Sequence, residues 1–385
     1  MSLSLSLLTA WVILLSVSTW AASPPSPSGG LWLVAALGGA VAVAFTSSDL
    51  FWFFVAFEAS LIPLFLLIGR WGSRREKEKA SLYFFFYTFI SSTSFLAALA
   101  LVFALAGSTS LAPLKSIAWG PAGVWVVLCL LTPLLVKLPA WPVHLWLPLA
   151  HVEAPTSCSI LLAALVLKLS GCGLIRWVLP LWGEAPSYLF PLLSALGAIS
   201  LASAALVAAR QGDLKRLVAY SSVSHMGLLT LACTGSAPSL GGATLLMVAH
   251  GLTSGGLFAW VGMIYLRLHS RSIRYLRGLW TSAPVATWGL LLVALASMGF
   301  PPSINFVSEV LILAGALPLS WGLAPPLVVG LTAGTFYHLF LFGRAAFGPP
   351  PPGPRHLPDL SRAETLECAG WAAPAWALGL GSPLW

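Results

Sequence analysis

Lys137 and Lys168 stand inside apolar runs, LLTPLLVKLPAWP and ILLAALVLKLSGCG, where an ammonium has no route to a water boundary. Lys168 lies about a dozen residues into its run, roughly 18 Å at 1.5 Å per residue, near the middle of a hydrocarbon core about 30 Å thick. An ionisable group so deep is costly unless it is paired or wetted, which makes ion or proton movement its leading use. Four more titratable residues share the setting: Glu58 in WFFVAFEASLIPLF, His225 in AYSSVSHMGLL, His250 in LLMVAHGLTSGG and Glu309 in INFVSEVLI. Each lies roughly 9 to 12 residues from an end of its run or just past a break, about 14–18 Å deep. Groups at one depth predict a hydrated polar axis lying along the membrane plane.

The set suits a proton relay, because histidine titrates near neutrality and burial draws a lysine or glutamate toward the same range. Glu58 beside Lys137 would hold the ammonium charged, and separating them would release its proton. Ser221, Ser222, Ser224, Thr253 and Ser254 surround the histidines and could hold water. Plainer roles compete: polar side chains also tie membrane helices together, Glu58 near Arg70 could balance a packing site, and Lys137 could bond carbonyls freed by its own helix break. His144 and His151, with Glu153, follow in VHLWLPLAHVEAPTS; if a helix continues there, their spacing puts both histidines on one face, as an inlet route. The run of prolines argues against a helical zinc site of these three.

The elements that must position these groups are membrane helices. The 385 residues are 58% hydrophobic and only 8% charged, against roughly 25% in a soluble domain. About twelve apolar stretches of spanning length are predicted, at 3–21, 29–47, 49–70, 80–106, 121–138 with a short continuation to 153, 156–180, 187–211, 212–234, 238–268, 282–315, 320–347 and 362–385. Alternating ~10-residue strands are not present, so the class is all-α and polytopic rather than a β-barrel.

The net charge of +8 is distributed in a way that argues against nucleic acid. Loops around 70–79, 210–216, 267–277 and 344–362 hold fifteen of the 19 Lys and Arg on one side, leaving Lys115 and Arg176 on the other. This asymmetry places the basic loops in the matrix or cytoplasm. Five single cysteines (129, 158, 172, 233 and 368) form no CxxC pair, so neither a metal site nor a disulfide framework is expected. The first stretch ends in small residues but has no Lys or Arg before it, so it reads as a retained helix rather than a cleaved signal.

Two stretches carry prolines in mid-membrane, KLPAWPVHLWLP and MGFPPSINFVSE. Proline removes a helical hydrogen bond, so breaks are expected near 139–142 and 301–302, with carbonyls that lipid cannot satisfy. Each break falls in the fourth of five stretches, which predicts an inverted repeat: a helix and Pro/Ser loop at 1–28, five-helix units at 29–180 and 187–347, and a Pro-rich connector with a final helix at 348–385.

The blocks FEASLIPLFLLIGRWG, VKLPAWPVHLWLPLAHVEAPTSCSILLAALVLKL, DLKRLVAYSSVSHMGLL, MVAHGLTSGGLF and GFPPSINFVSEVLIL resemble, in colinear order over about residues 50–345, the chain 4 family of NADH-ubiquinone oxidoreductase. These are antiporter-like membrane-arm subunits of respiratory complex I, related to subunits of Mrp-type Na+/H+ antiporters. The resemblance implies proton translocation driven by NADH:ubiquinone electron transfer in other subunits, with no cofactor in this chain. Its partners would be other membrane-arm subunits, neighbouring antiporter-like chains and lipids. Glu58, Lys137, Lys168, His225, His250 and Glu309 match the family's relay positions, and His144 and His151 its histidines after the break. HVEAP favours the mitochondrial branch, hence the mitochondrial inner membrane with the basic loops on the matrix side. The family has fourteen helices, so the chain looks shortened before the Glu58 helix, and Cys158 and Cys172 replace the usual Gly and Tyr. A Na+/H+ antiporter subunit, or a scaffold that no longer pumps, are the alternatives.

Overall fold

Hydrocarbon offers backbone amides no partner, so stretches this apolar must satisfy themselves as helices. The computed structural model describes residues 1–22, 28–117, 119–182, 189–233, 236–349 and 358–382, and among these no β-strand is present. In chain order the helices are α1 (Ser2–Ala22), α2 (Ser28–Thr46), α3 (Leu50–Ala59), α4 (Leu61–Trp71), α5 (Lys77–Ala106), α6 (Leu111–Leu114), α7 (Gly120–Lys137), α8 (Trp146–Glu153), α9 (Thr156–Leu161), α10 (Leu167–Gly173), α11 (Leu179–Trp182), α12 (Leu189–Ala209), α13 (Leu214–Ala232), α14 (Ala237–Leu268), α15 (Leu279–Ser282), α16 (Pro284–Ser297), α17 (Ile304–Ala316), α18 (Ala324–Ala346) and α19 (Arg362–Leu380). Most of the Pro/Ser loop, the proline run with Arg355 and the last three residues of the final stretch lie outside the described residues.

Each expected apolar stretch falls on helix, but among the described residues only eight helical stretches are both long and apolar enough to cross a membrane. The difference from twelve has two causes. The stretches at 121–138 and 282–315 contribute shorter helices, and α13 and α19 are diluted by Lys215 and Arg216 with Ser and His, or by Arg362, Glu364 and Glu367.

Two long helices form the centre. The stretch Thr156–Leu181 is 94% buried over its apolar window and α14 is 89% buried, against 28% for α5. Around them the outer helices turn large apolar side chains outward, among them Trp32, Trp52, Phe103, Trp125 and Phe336, as a lipid-facing surface requires. Lys168 and His250 stand on the two enclosed helices, so neither points at lipid.

The prolines act where they were expected. α7 ends at Lys137, the chain turns through a cis Trp141–Pro142 bond, and α8 starts at Trp146. The indole of Trp146 donates to the Val136 carbonyl at 2.8 Å. In the second break, between α16 and α17, Ser303 and Asn305 donate to the Ala296 and Ser297 carbonyls at 3.4 and 3.2 Å. Protein side chains thus take up carbonyls that lipid would leave bare.

Two matching clasps tie loops to helix starts. Asp49 caps α3 and bridges to Ser110, while Asp213 caps α13 and bridges to Ser272. The Leu50 and Leu111 amides donate to the Thr109 and Ser48 carbonyls, and the Leu214 and Ile273 amides to the Arg271 and Gly212 carbonyls. α19 packs across α14, α16 and α17 and is pinned by Arg267, whose guanidinium grips Glu364 at 2.8 and 2.6 Å.

Candidate functional site

Helical geometry explains how Lys168 is held. Residues 162–166 form a π-helical turn in which the Leu167 amide bonds back five residues to the Leu162 carbonyl. Such widened turns recur at functional sites because they redirect main-chain acceptors. Here the Lys168 Nζ donates to the carbonyl of Ala163, inside that turn. The same nitrogen lies 2.7 Å from Nδ1 of His250. One proton between two nitrogens at this distance has two homes: on lysine it makes an ammonium donating to a neutral imidazole, on histidine an imidazolium donating to an amine. That is the geometry of a transfer step.

From His250 the path continues along α13. The rings of His250 and His225 are 5.3 Å apart, centre to centre. Nδ1 of His225 is 2.9 Å from the Ser221 carbonyl, which can only accept, so Nδ1 carries a hydrogen and Nε2 is left to titrate. Nε2 faces the Glu309 carboxylate at 3.9 Å. Glu309 sits against the second break, where Gly299 adopts φ +72°; a Cβ there would fall 2.5 Å from the Glu309 Oε2. The glycine serves both the turn and the room for the carboxylate.

Glu58 and Lys137 form a second group. The Lys137 Nζ donates to the Phe57 carbonyl at 2.7 Å and the Ser60 hydroxyl at 3.1 Å, and lies 3.5 Å above the centre of the Phe57 ring. It therefore docks on the helix that carries Glu58, as the pairing idea requires, but its direct partners are a carbonyl, a hydroxyl and a π face. The half-buried Glu58 has Ser92 beside its carboxylate.

The serines and threonines near the histidines are less free than expected. Ser221, Ser222, Ser224, Thr253 and Ser254 donate to the carbonyls of Val218, Val218, Leu201, Ala249 and His250, so each retains only its acceptor lone pairs. His144 and His151 do not share a helix face: α8 starts only at Trp146, leaving His144 in the preceding turn beside Tyr220. His151 is fully buried, its ring stacked on Phe258 at 4.4 Å, and among the described residues neither ring nitrogen has a hydrogen-bond partner.

Two residues that looked like loop charges turn inward. Lys215 is 4% exposed and donates to the Ala154 carbonyl at 2.6 Å, and Arg271 is 5% exposed and donates to the Val152 carbonyl. Both bind the end of α8, where cations complement the carbonyl end of the helix. Burial, with Arg74 nearby, pulls the Arg271 guanidinium below its ordinary value, and Asp213 and Glu153 pull the other way. Arg176, also expected in a loop, sits in a second π turn at 174–178 and donates to the Phe45 and Ser47 carbonyls closing α2, at 2.9 and 2.8 Å. Sequence position at a helix end hid all three, because only packing turns such residues inward.

A multi-span helical protein with a buried lysine and two buried histidines leading toward a partly enclosed glutamate belongs with the membrane carriers of protons or cations. The model of the family described as NADH:quinone oxidoreductase/Mrp antiporter, transmembrane, matches residues 47–335, and the chain belongs to that family. It is 39% identical over 339 residues to NADH-ubiquinone oxidoreductase chain 4 of Metridium senile, covering 87% of this chain and 69% of that one. With NADH-quinone oxidoreductase subunit M of Rhodobacter capsulatus it shares 37% identity over 319 residues, 79% of this chain and 62% of that one. The chain thus spans about two thirds of the length of such curated relatives. Its fold superposes on a chain of respiratory complex I from Thermus thermophilus with bound NADH, at a TM-score of 0.91 and 29% identity, covering 98% of this chain and 81% of that one. A chain of the Mrp complex from Dietzia sp. DQ12-45-1b gives 0.86 at 20% identity, covering 100% and 81%, a likeness of fold.

Proposed function

We propose that this chain is a proton-translocating subunit of respiratory complex I in the mitochondrial inner membrane, its basic loops on the matrix side. NADH oxidation and quinone reduction take place in other subunits, and this chain carries no redox group. The observation that carries the reading is the 2.7 Å contact of Lys168 with His250, continued through His225 to Glu309. Protons entering past His144 and His151 reach Lys168, pass to His250 and His225, and arrive at Glu309. Glu58 and Lys137 act as the paired group that shifts charge when the relay fires. The partners are the neighbouring antiporter-like chains and other membrane-arm subunits, together with lipids.

The two five-helix units at 29–180 and 187–347 are proposed as inverted repeats. The matching clasps at Asp49 and Asp213 support this, since one lies on the sparsely charged side and the other among the basic loops.

The test replaces Lys168 with Ala in membranes carrying the assembled complex. NADH-driven proton uptake, followed with a pH-sensitive dye, is expected to fall by at least about tenfold, the scale of a lost acid–base group, while assembly persists. Unchanged uptake would support a scaffold role instead, and sodium exchange independent of NADH would support an antiporter.

A further inference from the structure

α18 carries a histidine that the relay above does not use. His338 is 1% exposed, and its Nδ1 lies 2.9 Å from the carbonyl of Gly334, one turn earlier. A carbonyl cannot donate, so Nδ1 holds the hydrogen and Nε2 is the acceptor. His225 is arranged in the same way on α13, with Nδ1 tied to the Ser221 carbonyl and Nε2 turned to Glu309. Among the described residues, the His338 Nε2 has no hydrogen-bond partner. A buried, unsatisfied nitrogen costs about 1–3 kcal/mol, which a water within reach would offset.

The surroundings have room for such a water. His338, His225, Glu309 and Ser224 line one cavity of about 220 Å³ between α12, α13, α17 and α18, which also reaches the second helix break at Ser297 and Gly299. Each water takes about 30 Å³ in the liquid and needs two to four polar partners, so the cavity has room for several and groups to anchor them.

We propose that His338 is a further proton-relay residue, taking the proton that reaches Glu309 across this water-holding cavity. The proposal rests on the proton-translocation reading and extends it by one step. The protonated Glu309 carboxyl gives its hydrogen to a water and is left as carboxylate; that water passes a hydrogen to Nε2, which becomes an imidazolium. One O–H bond breaks, one N–H bond forms, and no electrons are exchanged. Release of the proton from His338 resets the step.

The experiment compares H338F, H338Q and H338K with K168A in membranes carrying the assembled complex, reading assembly, NADH oxidation and protons taken up per NADH. The aromatic and amide replacements are expected to lower proton uptake about tenfold with assembly intact, and H338K, which can carry a proton, to restore part of it. A merely structural histidine would be replaced as well by Phe or Gln as by Lys. A second variant leaves every titratable group in place: Gly334 lines the cavity and a Cβ there would meet only the Tyr337 hydroxyl, at 3.9 Å, so G334V narrows the cavity and is expected to slow uptake similarly. Normal uptake in H338F and G334V alongside impaired K168A overturns the role of His338 alone. Normal uptake in K168A as well removes the relay reading beneath it.

Discussion

Lys168 is held charged or neutral by two partners of different kinds, a fixed main-chain carbonyl and a titratable imidazole. Moving its proton changes the partner at 2.7 Å from acceptor to donor, so each hop leaves the next group ready. Lys137 is the contrast: its carbonyl, hydroxyl and aromatic contacts offer no base to take its proton, which fits the proposed role of a charge shifted electrostatically. Gly299 is the most exacting residue of the second break. Gly299→Ala is expected to cost about 1–2 kcal/mol from its left-handed backbone and to push the Glu309 carboxylate out of line. A lowered melting temperature of the solubilised complex, together with reduced proton uptake, would show this; a variant with normal uptake would mean that the position of Glu309 is not critical.

At the level of elements, the paired clasps decide where helices start. Asp213 accepts from the Lys215 and Arg216 amides at 2.9 and 3.2 Å. Asp49 accepts from the Phe51 amide at 2.8 Å and also from the Thr109 hydroxyl at 3.0 and 2.9 Å. Losing a cap of this type costs about 1 kcal/mol. Asp49→Ala should lower the melting temperature more than Asp213→Ala does, because it also frees the Thr109 and Ser110 hydroxyls; equal shifts would mean those contacts are worth no more than the second amide that Asp213 holds. The broken helices follow the same logic of satisfied ends, with Trp146, Ser303 and Asn305 standing in for missing amides. α19 passes the second break so closely that a Cβ at Gly379 would lie 2.0 Å from the Pro302 carbonyl, which couples the last helix to the site.

For the whole molecule, the charge asymmetry makes a prediction about sidedness. A single cysteine introduced for the exposed Arg75 should react with a membrane-impermeant maleimide from the matrix side only, and one introduced for the exposed Lys115 from the opposite side only. Labelling of both from one side would invert or scramble the proposed topology.

The apolar stretches, the two proline breaks and the presence of titratable groups inside those stretches were legible in the sequence. Each depends on distance along one helix axis or on local chemistry, and proline and hydropathy report those directly. Rotation of one helix against another is different, since it depends on which faces fit together across the bundle. So the sequence offered Lys168 and His250 as titratable groups in separate apolar stretches, while only packing put them 2.7 Å apart from positions 82 residues distant. Packing likewise turned Lys215 and Arg271 inward, kept His144 off the face of His151, and opened a polar cavity onto His338. In the sequence, LTAGTFYHLFLFGR offers that histidine no sign of its use, because the groups that give it one come from three other helices.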